Sequence, residues 1–288
     1  MRILITGSSG MIGSALAPAL VEHDVIGVDK KKPQFSKTKT HLHDLMSPLD
    51  VNPAPDVIIH LAANARVWEL VENPALALEN VVTTHNVFEY ARQNGVKKII
   101  YASSREVYGN GNRLPIAEDI GSQRSSESPY SVGKIFGEGY AWAYKRCYGI
   151  DTKIVRFSNV YGKYDFSDRF IPKVIKQLRA NEPVEIWGKD KKLDFTYLDD
   201  AVMGVIHLLD NWSKETEYNI AYGKGHTLLS VAEKLKEALN SKSEIIIKDT
   251  HVGEVMTYEA DISLMESLGW QPTISIDEGL NKALDYYK

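Results

Sequence analysis

The sequence predicts a doubly wound α/β fold, in which helices cover both faces of a parallel sheet. Short apolar runs typical of buried strands alternate with longer helical patterns over residues 1–160. The first of these runs leads directly into a glycine-rich turn that opens a helix. Beyond residue 165 the alternation loosens, and we expect a smaller mixed α/β lobe there.

The strands of the large sheet are predicted from five apolar runs. They are RILIT (2–6), VIGV (25–28), VIIHLAA (57–63), KIIYAS (98–103) and TKIVRFS (152–158). Helical patterns separate them, near 11–22, 74–94 and 128–148. Asn73-Pro74 is a typical helix start, and Gly95 and Gly149 are typical helix ends.

The sequence of the second half predicts shorter helices and strands in mixed order. Helices are expected near 168–180, 198–211, 228–240, 262–268 and 276–286, and strands at VEIW (184–187), DFTY (194–197), YNIA (218–221) and EIIIK (244–248). We therefore predict one domain over residues 1–165 and a smaller substrate-binding lobe over residues 166–288. The helix near 198–211 is expected to pack back on the first domain.

Composition excludes several classes of protein. Hydrophobic content of 43% and charged content of 25% are those of a water-soluble globular protein. A net charge of −4 gives no basic surface for nucleic acid, and no apolar run is long enough to span a bilayer. A single cysteine, Cys147, excludes an intrachain disulfide and a multi-cysteine metal site, and we interpret it as structural. With no signal-peptide pattern at the start, we expect a cytoplasmic protein without a metal, nucleic-acid or membrane partner.

The stretch TGSSGMIG (6–13) predicts a dinucleotide-binding loop and hence a Rossmann-type sheet. Gly7 would allow the tight turn, Gly10 the approach of a pyrophosphate, and Gly13 close packing of helix on strand. The helix N-terminus would supply free N–H groups to the phosphates. The spacing is G-x-x-G-x-x-G rather than G-x-G-x-x-G, so the loop alone is also compatible with a purely structural turn.

Acidic and small residues follow the neighbouring strands. Asp29 ends the second strand, where its carboxylate could accept hydrogen bonds from an adenosine ribose and repel the extra phosphate of NADP. Because Lys30 to Lys32 could bind that phosphate, NADP is an alternative, but we predict that NAD is the cofactor. Asp44 could meet the adenine amino group, and Ala62 and Ala63 would let the backbone approach the cofactor.

Tyr130 and Lys134 stand four residues apart in SPYSVGK (128–134), so they share one face of the predicted helix. A phenol beside a fixed positive charge ionises more easily and becomes a usable base. The pair alone is more typical of an exposed aromatic and a solvated lysine. Ser104 ends the fifth strand and could reach the same cleft, although serines there also cap turns.

Taken in order, the motifs resemble the extended short-chain dehydrogenase/reductases, and in particular the NAD-dependent nucleotide-sugar epimerase/dehydratase family of the UDP-glucose 4-epimerase type. The resemblance rests on the glycine loop with Asp29 and on HLAA (60–63), Asn80 in ENVVTT (79–84), SSREVYG (103–109), YSVGK (130–134), RFSNVYG (156–162), DFTYLDD (194–200) and LGWQP (268–272). It covers the chain from residue 1 to about residue 272.

The resemblance implies a role for each matching residue. Tyr130 would be the base, Lys134 would lower its pKa and bind the nicotinamide ribose, and Ser104 would share the proton-transfer hydrogen bond with the substrate. The positions that match NAD contacts are Gly7, Gly10, Met11, Ile12, Asp29, Asp44, Leu45, Leu61, Ala62, Ala63, Asn80, Tyr130, Lys134 and Phe157. Asn159 matches a residue that contacts the diphosphate of the nucleotide sugar.

The implied reaction is NAD-dependent epimerisation of a nucleotide sugar at C4, with a UDP-hexose or UDP-uronate passing through a transient keto-sugar. Decarboxylation, dehydration and keto-sugar reduction are the related alternatives, and a non-catalytic dinucleotide sensor is the alternative of another class. Glu106 matches the base of the family's dehydratases, but Arg105 precedes it where these carry an acid. Arg105 would be either half of a solvated ion pair or a cation suited to a uronate carboxylate.

Two arginines that hold the diphosphate in the family are replaced by Leu193 and His251. We expect the nearby Lys191 and Lys192 to substitute, with Lys192 binding the substrate. The helices near 80–94 and 128–148 also resemble those that form the family's dimer. These helices carry apolar and aromatic residues beyond one face, including Phe88, Tyr90, Trp142 and Tyr144. The sequence therefore predicts a homodimer, unless these residues bury against the chain's own sheet.

Overall fold

A seven-stranded parallel sheet forms the centre of the computed structural model, which describes residues 1–111, 113–120 and 125–287. The strands lie in the order β10 (Glu217–Ile220), β6 (Asp151–Phe157), β5 (Lys98–Ser104), β4 (Val57–His60), β1 (Arg2–Thr6), β2 (Asp24–Asp29) and β3 (Thr40–Leu42). Every neighbouring pair is parallel. The predicted doubly wound sheet is confirmed.

Helices cover both faces of this sheet because the strand residues alternate in direction. Ile3 and Ile5 pack with α1 (Met11–Ala19) and α6 (Leu198–Asp210) in one apolar core. Leu4 packs on the opposite side with α3 (Ala75–Gln93) and α4 (Pro129–Tyr148). A continuous apolar run is what a strand buried on both faces requires.

The start of α4 is fixed by a capping box. The Ser128 hydroxyl accepts a hydrogen bond from the Ser131 amide at 3.3 Å, and the Ser131 hydroxyl is bonded in turn by the Ser128 amide at 3.2 Å. Pro129 occupies the first helical position, and Gly149 at φ +65° ends the helix. This cap places Tyr130 in the first turn of α4, at the carboxyl edge of the sheet.

The second half of the chain builds two further small sheets. One contains β11 (Gly225–Thr227), β9 (Lys192–Tyr197) and β7 (Asn159–Tyr161), and the other contains β12 (Ile245–Lys248) and β8 (Val184–Trp187). They share an apolar core with α5 (Phe170–Arg179), α7 (Leu228–Ala238) and α9 (Ile276–Tyr286). A short α8 (Ser263–Ser267) packs beside β10.

Some details differ from the sequence prediction. β10 joins the large sheet beside β6, although its residues fall in the segment assigned to the smaller lobe; Tyr218 and Ile220 on it are fully buried there. The division of the chain at residue 165 itself stays a prediction. The strand predicted over residues 57–63 ends at His60, and the short helix α2 (Val67–Glu72) follows. Cys147 is exposed rather than buried.

Within the described residues, no helix combines the length and the apolar character needed to cross a bilayer.

Candidate active site

Two cavities meet at the carboxyl edge of the large sheet and share Leu61 and Ala63 in their walls. Predicted cofactor residues line the first cavity: Gly7, Gly10, Asp29, Asp44, Leu45, Leu61, Ala62, Ala63 and Asn80. The second cavity has a volume of about 690 Å³, and its predicted residues are Met11, Ile12, Ser104, Tyr130, Lys134, Phe157 and Asn159. One continuous cleft therefore brings together every predicted cofactor residue and all three predicted catalytic residues, while the role of each stays a prediction.

The glycine loop is a cradle that side chains would fill. Gly7 has φ +72°, and a Cβ built on it would lie 2.7 Å from the Ala62 nitrogen. A Cβ on Gly13 would lie 2.3 Å from the Gly7 carbonyl oxygen. Gly10 begins α1 without a side-chain cap, so the first amides of that helix are open to an anion. These features fit the pyrophosphate of a dinucleotide.

The Asp29 carboxylate is held in the wall of the first cavity by two backbone amides. One oxygen accepts from the Ser9 amide at 2.9 Å and the other from the Lys31 amide at 2.8 Å. Lys30 and Lys31 line the same cavity. The negative charge that would repel the extra phosphate of NADP and the positive charges that would attract it are therefore both present. Asn80 is buried and pins the neighbouring wall by exchanging two hydrogen bonds with the Asn64 backbone, at 2.7 and 2.9 Å.

Asp29→Ala tests the cofactor prediction. In the unmutated protein we expect NAD to bind more tightly than NADP, because the carboxylate repels the 2′-phosphate. Asp29→Ala should narrow this difference, and Asp29→Asn, which keeps an acceptor oxygen for one amide, should narrow it with less disturbance of the loop. Calorimetric titration with both dinucleotides measures the ratio, and tighter binding of NADP to the unmutated protein would show that the lysines dominate.

Tyr130, Ser104 and Lys134 converge in the wall of the second cavity. Tyr130 and Lys134 are only 7% and 5% exposed. The Ser104 side chain is hydrogen-bonded to Tyr130, and its hydroxyl oxygen accepts from the Glu106 amide at 3.2 Å. The Lys134 Nζ donates to the Ala102 carbonyl oxygen at 2.7 Å and lies 5.8 Å from the centre of the Tyr130 ring.

Burial controls the ionisation of this group. It raises the pKa of Tyr130, and the Ser104 hydrogen bond opposes the rise. It also lowers the pKa of Lys134 to about 8, against the attraction of Glu138. The direction for Tyr130 is opposite to the lowered pKa that the resemblance implies. Desolvation of the phenol outweighs its charged neighbours, and the Lys134 ammonium is bonded to a backbone carbonyl.

A buried network that sequence reasoning missed supports this trio. Glu138 accepts from the Ser103 hydroxyl at 2.5 Å, from Arg156 Nε at 3.0 Å and from Arg156 Nη2 at 2.8 Å. Ser103 precedes Ser104, and Glu138 lies one helical turn after Lys134. The network therefore fixes the strand end and the helix face that carry the catalytic candidates. The four-residue step from Lys134 to Glu138 is the one signal in the sequence that points to it.

Arg105 and Glu106 lie on a 3₁₀ turn (Arg105–Tyr108) directly after Ser104. Arg105 Nη2 is 2.8 Å from Glu106 Oε1, and the two residues are 8% and 4% exposed. Both line the second cavity. A solvated surface ion pair, which was one interpretation of Arg105, is therefore wrong.

The two lysines expected to replace the missing arginines do not line the cleft. Lys192 turns toward β11, where its Nζ lies 2.9 Å from an oxygen of Glu259 that also accepts from the Gly225 amide. Lys191 is buried, and its Nζ lies 2.8 Å from Glu254 Oε2. This placement gives no support to the expectation that Lys192 binds the substrate, because the Lys192 ammonium contacts Glu259.

The positions of the missing arginines are filled by apolar and aromatic contacts. Leu193 is buried in the core of the second half. His251 stacks on the indole of Trp187 and makes a tilted contact with that of Trp68, with ring centroids 4.1 and 4.5 Å apart. Neither residue presents a permanent positive charge to a diphosphate.

Besides Lys134, whose ammonium donates to a backbone carbonyl, Arg169 and Lys173 are the cations of the second cavity wall that form no ion pair with a described residue. Arg169 directly precedes α5, and Lys173 follows one turn later, so both lie at the same end of that helix. Arg169 is also close enough to Tyr130 to favour the ionised phenol. Sequence reasoning passed over both residues because nothing in their spacing marks them.

Comparison with known proteins agrees with the site. A model of the NAD dependent epimerase/dehydratase family matches residues 3–221. A putative UDP-glucose 4-epimerase of Methanocaldococcus jannaschii is 33% identical, over 99% of this chain and 98% of that protein.

Two solved structures share the whole fold. The UDP-glucose 4-epimerase of Thermotoga maritima with UDP-glucose gives a TM-score of 0.91 at 27% identity, over 100% of this chain and 98% of that one. The UDP-glucuronic acid 4-epimerase of Bacillus cereus, in complex with UDP-glucuronic acid and NAD, gives 0.90 at 26% identity, over 100% and 99% of the two chains. With a family model covering most of the sequence and a relative of this identity along its full length, the chain belongs to the NAD dependent epimerase/dehydratase family.

Proposed function

We propose that the protein is an NAD-dependent 4-epimerase of nucleotide sugars, acting on a UDP-hexose or a UDP-uronate. The observation that carries the proposal is the meeting of Ser104, Tyr130 and Lys134 in the second cavity, which shares Leu61 and Ala63 with the first. A base there lines a volume of about 690 Å³, which is large enough for a sugar and adjoins the dinucleotide cavity. Membership of the epimerase/dehydratase family supports the same reaction class.

The first cavity fits NAD. The glycine cradle would hold the pyrophosphate, Asp29 the adenosine ribose, and Asp44 the adenine amino group. Lys134 would reach the nicotinamide ribose from the floor of the second cavity. When bound, NAD supplies the hydride acceptor that a redox-neutral epimerisation needs.

The side chains around the sugar carry the proton chemistry. Tyr130 would take the proton of the C4 hydroxyl through the hydrogen bond it shares with Ser104, and would return it when the hydroxyl is restored on the other face of the ring. Desolvation raises the pKa of Tyr130, so positive charge from Lys134, Arg169 and the bound nicotinamide would have to favour the phenolate.

Dehydration within the same family is the second candidate. Glu106 lines the second cavity, where a carboxylate could remove a proton beside a ketone. Its ion pair with Arg105 leaves no acid beside it to protonate a departing hydroxide. Decarboxylation and keto-sugar reduction remain open on the same side chains. A non-catalytic sensor is disfavoured because it has no use for a hydrogen-bonded serine and tyrosine in the cleft.

A panel experiment tests the proposal. The purified protein, supplied with NAD, is incubated with UDP-glucose, UDP-galactose, UDP-glucuronate and their N-acetylated analogues, and the products are identified by NMR. We expect interconversion of a pair of C4 epimers with no net change in absorbance at the NADH band. A product that has lost water or carbon dioxide, or steady consumption of added NADH, would replace the epimerase by one of the other candidates.

Arg169 and Lys173 are the cations we propose for the diphosphate. Arg169→Ala is expected to raise KM for a UDP-sugar by about tenfold with a smaller change in kcat, and to reduce the salt dependence of KM, because a charge-assisted contact present in both ground and transition states is lost. Lys192→Ala is the control and should leave KM unchanged, since Lys192 is paired with Glu259. Steady-state kinetics at low salt measure both. If KM rises in Lys192→Ala and not in Arg169→Ala, Lys192 rather than Arg169 binds the substrate.

A homodimer is also proposed, although three of the four aromatic residues that first indicated it do not support it, and the fourth, Trp142, is partly buried. Phe88, Tyr90 and Tyr144 are buried in the chain's own core, so they cannot form the interface. The same helices α3 and α4 instead expose Leu78 and Val132, at 64% and 55%. We expect light scattering at micromolar concentration to give the mass of a dimer, and a monomer under those conditions would contradict it.

A further inference from the structure

The Arg105–Glu106 ion pair has hydrogen-bonding capacity that no described residue uses. Arg105 Nη2 is satisfied by Glu106 Oε1 at 2.8 Å, but Arg105 Nη1 and Glu106 Oε2 have no hydrogen-bond partner in the described part of the chain. Both side chains are more than nine-tenths buried, and both line the second cavity next to Ser104. Because an unmet donor and an unmet acceptor are costly to bury, their pairing with a ligand would repay that cost.

The surroundings of the pair are electrically balanced. Lys191 and Glu254 form a second buried ion pair, with an Nζ to Oε2 distance of 2.8 Å, and Lys191 is near enough to feel the charges of both Arg105 and Glu106. The guanidinium of Arg105 also lies 5.8 Å from the centre of the buried Tyr258 ring. Two positive and two negative groups therefore meet here with no net charge. The unpaired Arg169 belongs to the α5 side of the cavity.

A free donor and a free acceptor within one ion pair suit a neutral group better than an anion. A hydroxyl both donates and accepts, so the hydroxyls of a hexose can satisfy Arg105 Nη1 and Glu106 Oε2 together. A carboxylate only accepts; it would satisfy Nη1 but would place a second negative charge beside Oε2 in a desolvated site. The pair follows Ser104 directly in sequence, which puts it beside the sugar ring rather than the nucleotide.

We propose that the Arg105–Glu106 pair selects a neutral nucleotide hexose over the corresponding uronate, by presenting one donor and one acceptor in a balanced pair. The inference rests on the proposed function and narrows its substrate class. It also assigns both residues to binding of the sugar, so Arg105 is not free to pair with a uronate carboxylate while Glu106 holds it.

Binding and turnover are measured together, so that failure of the reaction and failure of the selectivity are separate results. Titration calorimetry in the presence of NAD gives Kd, and product analysis gives kcat/KM, for UDP-glucose and UDP-glucuronate. The variants are Glu106→Gln, which frees Arg105 with little change of shape, and Arg105→Met, which leaves Glu106 alone. Glu72→Gln removes the same charge from an exposed part of the cavity wall and is the matched control. Thermal melting checks that each variant is folded.

The unmutated protein should favour UDP-glucose over UDP-glucuronate by about tenfold or more in Kd and in kcat/KM, as expected from like charges in a desolvated site. Glu106→Gln should lower the ratio of the Kd for UDP-glucuronate to the Kd for UDP-glucose by about tenfold, and Arg105→Met should raise this ratio. Glu72→Gln should change the ratio by less than about twofold. A preference for UDP-glucuronate in the unmutated protein, or an unchanged ratio in a folded Glu106→Gln variant, overturns the selectivity. If the predicted Kd ratios are found without turnover, the selectivity stands and the epimerase proposal fails. If neither sugar binds, both fail.

Discussion

Tyr130→Phe is expected to lower kcat by about 10²-fold or more while NAD still binds, because the change removes the proton acceptor and keeps the ring. The Tyr130 side chain is buried in the wall of the second cavity and hydrogen-bonded to Ser104, and no other described tyrosine shares both features. Product formation under saturating substrate gives kcat, and calorimetry with NAD shows whether the cofactor cavity is intact.

Tyr140→Phe is the matched control. Tyr140 lies on the same helix but lines neither cavity, and its hydroxyl is hydrogen-bonded to His85 at 3.2 Å. We expect its kcat to equal that of the unmutated protein. Turnover of Tyr130→Phe within a few-fold of the unmutated enzyme would contradict the assigned role, whatever the control shows.

Glu138→Ala is expected to lower the free energy of unfolding by about 3–5 kcal/mol, the usual effect of removing one partner from a buried ion pair. Arg156 is 3% exposed and would lose two hydrogen bonds of 3.0 and 2.8 Å to the carboxylate. Ser103 would lose its acceptor as well. Urea denaturation followed by circular dichroism measures the change.

A surface pair provides the comparison for Glu138. Glu69 contacts Arg66 at 2.9 Å, but the two side chains are 49% and 36% exposed, so Glu69→Ala should cost less than about 1 kcal/mol. Arg156 keeps Tyr108, Glu217 and the Glu118 carbonyl as neighbours in Glu138→Ala. A loss of stability no larger than that of Glu69→Ala would mean that these contacts alone hold the guanidinium.

The large sheet could be predicted because its determinants are local in sequence. A continuous apolar run such as RILIT must be buried on both sides, and the turn at Gly7 admits no side chain, so strand, loop and helix follow one another without long-range information. The short elements were missed for the same reason. The α2 helix spans six residues and the 3₁₀ turn after Ser104 spans four, too few for a periodicity to show.

The grouping of Ser104, Tyr130 and Lys134 in one cavity was predictable from motif order, whereas its surroundings depend on contacts between distant segments. Lys192 lies beside the expected position, yet an oxygen of Glu259, 67 residues further along the chain, binds its ammonium. Phe88 and Tyr144 sit on the predicted helices, but their direction is set by packing on the sheet. The raised pKa of Tyr130 likewise follows from burial, which its four-residue spacing from Lys134 does not reveal.

The central claim is that this cleft epimerises a nucleotide sugar at C4 by removing and returning the same hydrogen. The most direct test is to convert a UDP-sugar substrate in D₂O with catalytic amounts of the protein and NAD, and to follow the ring protons by NMR. We predict that the C4 epimer appears with its C4 hydrogen retained and with no deuterium at any ring carbon. Deuterium at C5, loss of water or carbon dioxide, or absence of the epimer with every sugar of the panel would contradict this account.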